Sequence, residues 1–406
     1  MSLAEIDLSN PDHFVAGTPH AWFRALRAQD PVHWQPEANG PGFWCVTKYE
    51  DLKHVSRNPE LFSSWIGATN IHTPPPDGLE RTRMIMLNMD PPQHVKFRRI
   101  VQRGFTPRRV AQQEAHIREL ARRIVDAVAP RGEAEFVEEL AAELPLQVIC
   151  EIMGVPLEDR KKIFDLSNTM IGFDDPEMGD EATRMAASAG LFGYAMQLAE
   201  RYKADPQDNL TTILLRGEVD GENLNEIEFC SFFLLLCIAG NETTRTVTTN
   251  GWKLLMDHPD QLELLVREPA RIPAAVEEIL RFDPAVHYFR RTATQDTEIR
   301  GRRIRRGDKV VIWYPSANRD EDVFPEPDRF DVARPENEHL AFGIGEHYCL
   351  GANLARLELN VIFEELVARL RHPRLLAPLR RLRSNFINGV KEMRVAFDPA
   401  PARLGA

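Results

Sequence analysis

The most constraining feature of this 406-residue chain is a single cysteine, Cys349, in a glycine-rich turn directly before an amphipathic helix. In that helix, apolar residues recur every three or four positions, at Ala355, Leu359, Ile362, Leu366 and Leu370. Helix N-termini carry free N–H groups and a partial positive charge, which lower the pKa of a nearby thiol. Gly345 and Gly351 allow backbone amides to approach the sulfur. The pattern predicts a thiolate that acts as a nucleophile, a metal ligand or a haem ligand; the alternative is a buried structural cysteine.

Two other segments carry polar side chains at helical spacing. Glu278 and Arg281 lie at i and i+3, on one helical face, where they can pair, although surface helices carry many such pairs. Residues 229–240 contain no charged residue and are too few for a membrane span, which needs roughly 20 residues, so they predict a buried core helix. Glu242 and Thr243 follow in the same helix. They either end its apolar section or belong to a functional site.

Together these segments resemble those of the cytochromes P450. The haem-binding signature of that family is matched at Phe342, Gly345, Cys349, Gly351 and Ala355, and in its bacterial form also at His347. The Glu278–Arg281 pair resembles the family's ExxR helix, and residues 239–243 resemble its oxygen-binding stretch. Because the motifs occur in the family's order, the chain is identified as a member of the cytochromes P450.

This resemblance implies a mainly α-helical fold with a small β-rich part, in which a prism of helices surrounds the haem. We expect residues 1–406 to form a single domain, because no linker, internal repeat or low-complexity tract divides them. Helices are predicted near residues 18–28, 48–57, 92–104, 108–129, 137–153, 185–204, 224–256, 258–267, 270–282 and 351–371. Strands are predicted at residues 31–35, 43–47, 298–300, 303–305 and 309–313. Prolines between residues 74 and 92 predict an irregular stretch there.

The resemblance also implies a haem b cofactor, with the Cys349 thiolate as the axial ligand of its iron. The side chains implied as partners of the two haem propionates are His94, Arg98, Arg291 and His347. Alone, His94 and Arg98 at i and i+4 could equally form a solvated basic face. Phe342 would shield the sulfur. Ala239 and Gly240 would leave room for O2 and substrate above the iron.

A buried charged network is a further implication of the resemblance. Arg329, in the segment that lies where the family has its second arginine motif, would join Glu278 and Arg281. In the family this trio braces the segment leading to the cysteine, here Cys349. Removing one partner of a buried ion pair costs about 3–5 kcal/mol.

Thr243 and Glu242 are the catalytic residues that the resemblance implies. The threonine hydroxyl would hold bound O2 and water, and the acid would relay protons. The overall reaction would convert RH, O2, two electrons and two protons into ROH and water. Two alternatives remain: a peroxygenase that uses hydrogen peroxide without a redox partner, and a non-catalytic haem sensor or carrier. The presence of both Glu242 and Thr243 favours the monooxygenase over either alternative.

Charge indicates which partners the protein binds. The net charge of −11 does not suit nucleic-acid binding. Between Pro91 and Gln113 there is no acid, and the basic residues of this stretch are Lys96, Arg98, Arg99, Arg103, Arg108 and Arg109. Alone, they form a solvated helix face. By the resemblance, they would dock an acidic ferredoxin, which together with a ferredoxin reductase would supply electrons.

The sequence gives little sign of export or of another metal site. The first 30 residues contain neither a signal peptide nor a membrane anchor, so we expect a cytoplasmic protein, and a monomer. The cysteines at positions 45, 150, 230, 237 and 349 form no CxxC pair. This spacing argues against a zinc site or an iron–sulfur cluster of the chain's own.

The predicted substrate pocket is largely apolar, which predicts a lipophilic small molecule as substrate. Its residues are expected to be Trp65, Ile66, Ile71, Met86, Ile171, Phe173, Phe232, Leu236, Val286, Phe289, Phe386 and Ile387. The stretches 87–92, 104–107 and 239–244 resemble those of the branch that oxidises sterols, terpenoids and methyl-branched lipids. The resemblance therefore implies oxidation of such a molecule at a reactive alkyl end.

Overall fold

The computed structural model describes residues 2–219 and 221–403. Its helices are α1 (His20–Gln29), α2 (Tyr49–Arg57), α3 (Pro76–Arg83), α4 (Gln93–Val101), α5 (Pro107–Val128), α6 (Glu143–Met153), α7 (Arg160–Ile171), α8 (Glu181–Ala204), α9 (Leu210–Arg216), α10 (Glu226–Asp257), α11 (Pro259–Arg267), α12 (Ile272–Phe282), the single turn α13 (Tyr314–Ala317) and α14 (Ala352–Arg369). Its strands are β1 (Val32–Gln35), β2 (Phe43–Val46), β3 (Phe62–Ser63), β4 (Glu133–Glu135), β5 (Glu218–Val219), β6 (Glu222–Asn223), β7 (Tyr288–Ala293), β8 (Thr297–Ile299), β9 (Arg302–Ile304), β10 (Lys309–Trp313), β11 (Arg371–Leu375), β12 (Arg380–Arg381), β13 (Val390–Glu392) and β14 (Arg394–Asp398). The prediction of a mainly helical chain with small sheets is confirmed.

Several elements differ from the prediction. Helix α3 lies in the proline-containing stretch predicted to be irregular; Pro76 stands in its first turn, where proline is tolerated. Helices α7 and α9 and strand β7 have no predicted counterpart. The predicted helix 137–153 is divided into a π-helical turn, Val137–Ala141, and α6. The positions of prolines and short stretches without a clear hydrophobic periodicity therefore predicted local structure least well.

The central element is the long helix α10. Asn225 and Glu228 cap its N-terminus reciprocally, each side chain accepting a hydrogen bond from the other residue's backbone N–H. By length and composition α10 could cross a bilayer, but 61% of its apolar window is buried inside the protein. It packs against α6, α7, α8, α12 and α14. The prediction of a buried core helix is confirmed.

The largest described sheet fixes the position of Arg291, one of the predicted cofactor-binding residues. Its strand order is β1-β2-β10-β7-β3, with β10 parallel to β2 and antiparallel to β7. Arg291 of β7 pairs in register with Val310 of β10, and Arg290 pairs with Val311. This register places Arg291 on the face of β7 opposite to that of its neighbour Arg290, because side chains alternate along a strand.

A buried ion pair on α12 anchors the segment that leads to Cys349. Arg281 donates from Nε to Oε2 of Glu278 at 2.7 Å, and both side chains are 0% exposed. Arg281 also donates to the carbonyls of Asn318 and Pro327, each at 2.9 Å. The Asn318 side chain in turn accepts from the Leu340 N–H at 2.7 Å. The network thus reaches Leu340, in the segment that leads to Cys349.

The third charged residue of this network differs from the prediction. The Arg329 side chain is 59% exposed and pairs with Glu326 and Asp331 instead. Arg334, whose side chain is 9% exposed, donates from Nε to Oε2 of Glu278 at 3.1 Å. The prediction for Arg329 is therefore wrong. Only its backbone carbonyl joins the network, as an acceptor from Arg281 and Arg334.

Candidate active site

A cavity of about 250 Å³, here called the site cavity, lies between α4, α10, α14 and the turn that carries Cys349. The α10 face contributes Leu236, Ala239, Thr243 and Val247, which follow one another at spacings of three or four residues. A helix presents such residues on one face, so this spacing explains why they reach the same cavity. The structure therefore brings the predicted cysteine and the predicted central-helix threonine to a common space.

The Cys349 turn has the tight geometry that the sequence predicts. The Cys349 N–H donates to the Phe342 carbonyl at 2.8 Å, and α14 begins at Ala352. Gly345 has φ +78°, and a Cβ atom there would lie 2.5 Å from the backbone oxygen of Ser56. Glycine is thus required at position 345 both by conformation and by space. Gly351 has an ordinary φ of −87°, so the bend does not depend on it.

Electrostatics at the sulfur differ from the prediction. Burial raises the pKa of the Cys349 thiol, whereas the Gly351 N–H and the guanidinium groups of Arg98 and Arg356 act in the opposite direction. The Gly351 N–H at the helix terminus lowers this pKa, as the sequence predicts, but desolvation of the thiolate outweighs it in the polypeptide alone. A metal cation facing the sulfur reverses this balance, since a coordinating thiol is deprotonated outright.

Four basic or imidazole side chains line the same cavity. Arg98 donates from Nη2 to the Tyr348 carbonyl at 2.5 Å, and Arg291 donates from Nη1 to the Arg290 carbonyl at 2.9 Å. The rings of His94 and His347 lie 4.1 Å apart, measured between centroids. Burial lowers the pKa of His94 to about 4 and that of His347 well below its usual value. Burial therefore disfavours the protonated form of both imidazoles.

The arginines and His94 of this cavity lack some of their ion-pair and hydrogen-bond partners. In the described part of the chain neither Arg98 nor Arg291 forms an ion pair, and the buried Nδ1 of His94 has no hydrogen-bond partner. Arg291 and His94 are buried, and buried donors without acidic partners require an anion from elsewhere. A Cβ atom at Gly351 would meet no protein atom within 4 Å, so the space beside the cysteine is open. A dianionic, largely apolar ligand with a central metal fits these residues, and haem b is such a ligand.

Thr243 and Glu242 point to different cavities. Thr243 lines the site cavity, and its Oγ1 donates to the Ala239 carbonyl at 2.8 Å. Glu242 is buried, pairs with Arg245, and lines a second cavity of about 160 Å³ together with Asn168 and Lys391. Consecutive helical residues lie about 100° apart around the axis, which explains the divergence. The structure thus does not bring the predicted acid and alcohol together over the site cavity.

The small residues of α10 have separate roles. Ala239 and Gly240 both line the site cavity. A Cβ atom at Gly240 would lie 3.0 Å from the side chain of Ile149 on α6. Glycine at position 240 therefore permits close packing of α6 on α10, in addition to leaving room in the cavity.

Of the twelve predicted pocket residues, four line the site cavity. They are Met86, Leu236, Val286 and Phe289. Phe386 packs behind this wall, with its ring 5.7 Å from that of Phe289, and Phe173 lies 6.3 Å from Phe386. Fewer of the predicted residues than expected therefore contact the cavity directly. The rings of Phe386 and Phe173 form a second layer behind them.

The other six predicted pocket residues lie elsewhere. Ile171 and Ile387 form a separate cluster with Leu382, and Ile71 belongs to a core cluster with Tyr288 and Trp313. Phe232 stacks on Phe97 at 5.8 Å; Trp65 lies under the guanidinium of Arg83, and Ile66 is exposed. Apolar residues of the core and of a cavity wall have the same composition, so the sequence did not separate them.

Lining residues that the sequence reasoning missed fall into two groups. Leu235, Thr244 and Val247 lie on the cavity face of α10, and a spacing of four residues from Gly240 and from Thr243 was the signal for Thr244 and Val247, respectively. Leu87 and Glu358 also line the cavity. Glu358 follows Cys349 on the helix that the sequence predicts, but nothing in its neighbours marked an acid as facing inward.

The predicted basic surface is smaller than its six residues suggested. Arg99, Arg103 and Arg108 are exposed. Arg98 lines the site cavity, and Arg109 pairs with Asp208 at 3.3 Å. The exposed basic surface near the start of α5 therefore consists chiefly of three arginines.

Comparison with known proteins identifies the relatives of this chain. The family model for cytochrome P450 matches residues 43–374. A steroid C26-monooxygenase of Rhodococcus jostii is 42% identical over 404 residues, which cover 97% of this chain and 85% of the relative. A methyl-branched lipid omega-hydroxylase of Mycobacterium tuberculosis is 42% identical over 413 residues, covering 98% and 95%. A Mycobacterium marinum cytochrome P450 in complex with pseudoionone superposes with a TM-score of 0.91 at 37% identity, covering 97% and 98%.

Proposed function

The chain belongs to the cytochrome P450 family, and we propose that it inserts one oxygen atom of O2 into a C–H bond at the alkyl end of a sterol, a terpenoid or a methyl-branched lipid. The observation that carries the substrate class is the apolar wall formed by Met86, Leu236, Val286 and Phe289. Such a wall selects a lipophilic guest, since a polar one would lose its hydration without compensation. The names of two relatives, a steroid C26-monooxygenase and a lipid omega-hydroxylase, support oxidation near the end of an alkyl chain.

Each residue of the site has a role in this proposal. Haem bound to a cysteine thiolate supplies the O2-activating chemistry when present. Cys349 would provide that thiolate, while Arg98 and Arg291, with His94 and His347, would hold the two propionates. The apolar wall orients the substrate and excludes water. Thr243 presents its hydroxyl at the cavity face of α10, where it holds water and a proton.

The reaction balances with electrons from outside the chain. RH, O2, two electrons and two protons give ROH and one water. We propose a separate ferredoxin and ferredoxin reductase as the electron source. The exposed arginines 99, 103 and 108 support docking of an acidic partner.

The first test is a titration of the haem-loaded protein with sterols, terpenoids and methyl-branched fatty acids. A low-spin to high-spin shift of the haem absorption with one class, followed by formation of its hydroxylated product, would support the proposal. No shift with any of them, and binding of only polar compounds, would contradict the proposed substrate class.

Replacing Thr243 by alanine is expected to separate electron consumption from product formation. The hydroxyl that holds water and a proton at the cavity is lost, so reduced oxygen leaves as hydrogen peroxide instead of being used. Electron consumption should persist while product per electron falls about tenfold or more. The measurement compares reductant consumed with product and peroxide formed.

Thr248→Ala is the matched control for this variant. Thr248 lies one turn later on α10, is buried, and donates to the Thr244 carbonyl at 2.9 Å, yet it does not line the site cavity. The amount of product that this variant forms per electron consumed should match that of the wild type. Unchanged coupling in Thr243→Ala would exclude Thr243 from proton handling, and equal product from hydrogen peroxide alone would favour the peroxygenase.

Reversing charge at Arg99, Arg103 and Arg108 together is expected to slow association with an acidic ferredoxin. Electrostatic steering raises association rates by about 10- to 1,000-fold, so a loss of about tenfold or more is expected at low salt. The difference should shrink as salt screens the charges. Stopped-flow reduction measures the rate. Arg306→Glu, an exposed arginine beyond β9, is the control, and an equal loss there would contradict a specific docking surface.

A further inference from the structure

A carboxyl group without a bonding partner lies just after α7. It belongs to Asp174, in the connection between α7 and α8. The backbone carbonyl of Asp174 accepts a hydrogen bond from Arg383, but its side chain makes no hydrogen bond or ion pair within the described residues. The carboxylate of the next residue, Asp175, pairs with Lys391 at 2.7 Å. Of these two neighbouring acids, only Asp174 therefore has an acceptor to offer to a ligand.

Aromatic side chains connect Asp174 with the wall of the site cavity. Its neighbour Phe173 lies 6.3 Å from Phe386, and Phe386 lies 5.7 Å from Phe289, measured between ring centroids. Phe289 lines the site cavity. Val286, a second lining residue, packs on the same apolar cluster as Phe386. A long guest with its alkyl end in the site cavity can thus follow an apolar surface as far as Asp174.

Separate parts of the chain meet around this carboxyl group. Burial raises the pKa of Asp174 to about 6, while Arg383 after β12 and His72 before α3 act in the opposite direction. Burial also raises the pKa of Tyr288 on β7, and the charge of Asp174 adds to that rise. Such electrostatic interactions weaken with distance, so these three residues lie near the carboxyl group. Asp174 is thus partly withdrawn from water where the three segments meet.

The nearby arginine is engaged with other groups. Arg383 donates from Nε to Oδ1 of Asp12 and from Nη1 to the carbonyl of Asp174, each at 2.5 Å. Its backbone N–H donates to Oδ2 of Asp175 at 3.0 Å. A carboxylate on a guest would therefore meet the carboxylate of Asp174 rather than a free cation. A hydroxyl group would meet an open, charged acceptor, and hydrogen bonds to charged groups are the stronger ones.

We propose that Asp174 selects the polar end of the substrate: its carboxylate accepts a hydrogen bond from the hydroxyl group of a sterol or terpenoid alcohol whose alkyl end lies in the site cavity. Lipids that end in a carboxylate are disfavoured, because two like charges would meet partly out of water. Ketones are disfavoured because they have no proton to donate. The inference rests on the proposed function and deepens it, since it narrows the substrates to neutral alcohols.

Two pairs of compounds test this selectivity on the haem-loaded protein at about pH 8, where Asp174 is ionised. Cholestanol and cholestanone differ in a hydroxyl group against a ketone, and farnesol and farnesoic acid in a hydroxyl group against a carboxyl group. Calorimetry and the shift of the haem absorption give the dissociation constants. The wild type should bind the alcohol of a pair about tenfold more tightly or better. Equal affinities within any pair that binds, or tighter binding of farnesoic acid, would overturn the proposal.

Asp174→Ala should remove the preference for alcohols. The affinity for the alcohol should fall about tenfold or more, the affinity for cholestanone should stay the same, and farnesoic acid should bind more tightly than to the wild type. Asp174→Asn should also relieve the repulsion of farnesoic acid but keep part of the preference for alcohols, because the amide oxygen still accepts a hydrogen bond. Unchanged ratios of affinities in Asp174→Ala would overturn the proposal.

Asp165→Ala is the matched control. Asp165 is an exposed acid of α7 that pairs with Lys161 at 3.0 Å, and its variant should match the wild type with all four compounds. An equal change in the control would overturn a specific role of Asp174. If alcohol, ketone and acid bind equally well and are hydroxylated, this inference is wrong while the proposed function stands. If none of the four compounds binds to the wild type, the proposed substrate class fails and this inference fails with it.

Discussion

Replacing Cys349 by alanine is expected to abolish product formation and the absorption band that marks thiolate-bound haem. Cys349 lies in the wall of the site cavity, and its turn is held by the Cys349–Phe342 backbone bond and the positive-φ glycine at 345. Alanine keeps this backbone geometry, so the loss should be confined to the sulfur. The measurement is the spectrum of the reduced protein under carbon monoxide, in which thiolate ligation gives a distinctive long-wavelength band.

Cys230→Ala is the matched control. Cys230 is buried within α10 and does not line the site cavity. The control should retain both the band and the activity. A thiolate-type band in Cys349→Ala would show that another residue binds the iron. A shorter-wavelength band in the wild type would indicate a neutral thiol or histidine ligand and would weigh against the monooxygenase.

Removing Arg334 is expected to destabilise the fold far more than removing Arg329. The Arg334 side chain is 9% exposed and pairs with Glu278, so Arg334→Ala leaves part of a buried carboxylate without its partner. Breaking a buried pair from one side costs about 3–5 kcal/mol. Arg329 is 59% exposed, and its pairs with Glu326 and Asp331 are surface pairs, worth about 0–1 kcal/mol.

Urea unfolding of the two variants measures the difference directly. The free energy of unfolding should fall by about 3 kcal/mol or more for Arg334→Ala and by about 1 kcal/mol or less for Arg329→Ala. Each variant serves as the control for the other, because both arginines lie in one segment five residues apart. Equal losses would contradict the assignment of Arg334 to the network.

The sequence predicted what depends on spacing along one helix. Glu278 and Arg281 are three residues apart on α12, and their pairing follows from helical geometry. Which arginine joins them depends on how the chain after β10 returns to α12, and no local pattern encodes that path. Thr243 and Glu242 diverge for a local reason, because consecutive helical residues lie about 100° apart, and Glu242 pairs with Arg245 on its own face of α10.

Strand β7 shows a second reason why the sequence did not predict part of the fold. It contains Arg290 and Arg291, which are both buried, and charged residues normally argue against a buried strand. Arg290 is satisfied by Thr73 and by backbone carbonyls of the segment before α3, and Arg291 faces the site cavity. Tertiary contacts compensate the charge of Arg290, and Arg291 faces a cavity that suits an anionic ligand, so local propensity alone could not identify the strand.

The apolar wall of the site cavity and the charged network around Glu278 are expected to differ in how well they tolerate substitutions. Met86, Leu236 and the segment with Val286 and Phe289 belong to three separate parts of the chain, so substitutions in this wall are spread over several elements. Beneath Cys349, by contrast, the Glu278 carboxylate holds four groups at once: Arg281, Arg334, Asn337 and the Asp331 N–H. We therefore expect variants of the wall residues to fold and to bind different substrates. Variants that extend into α12 are expected mainly to unfold.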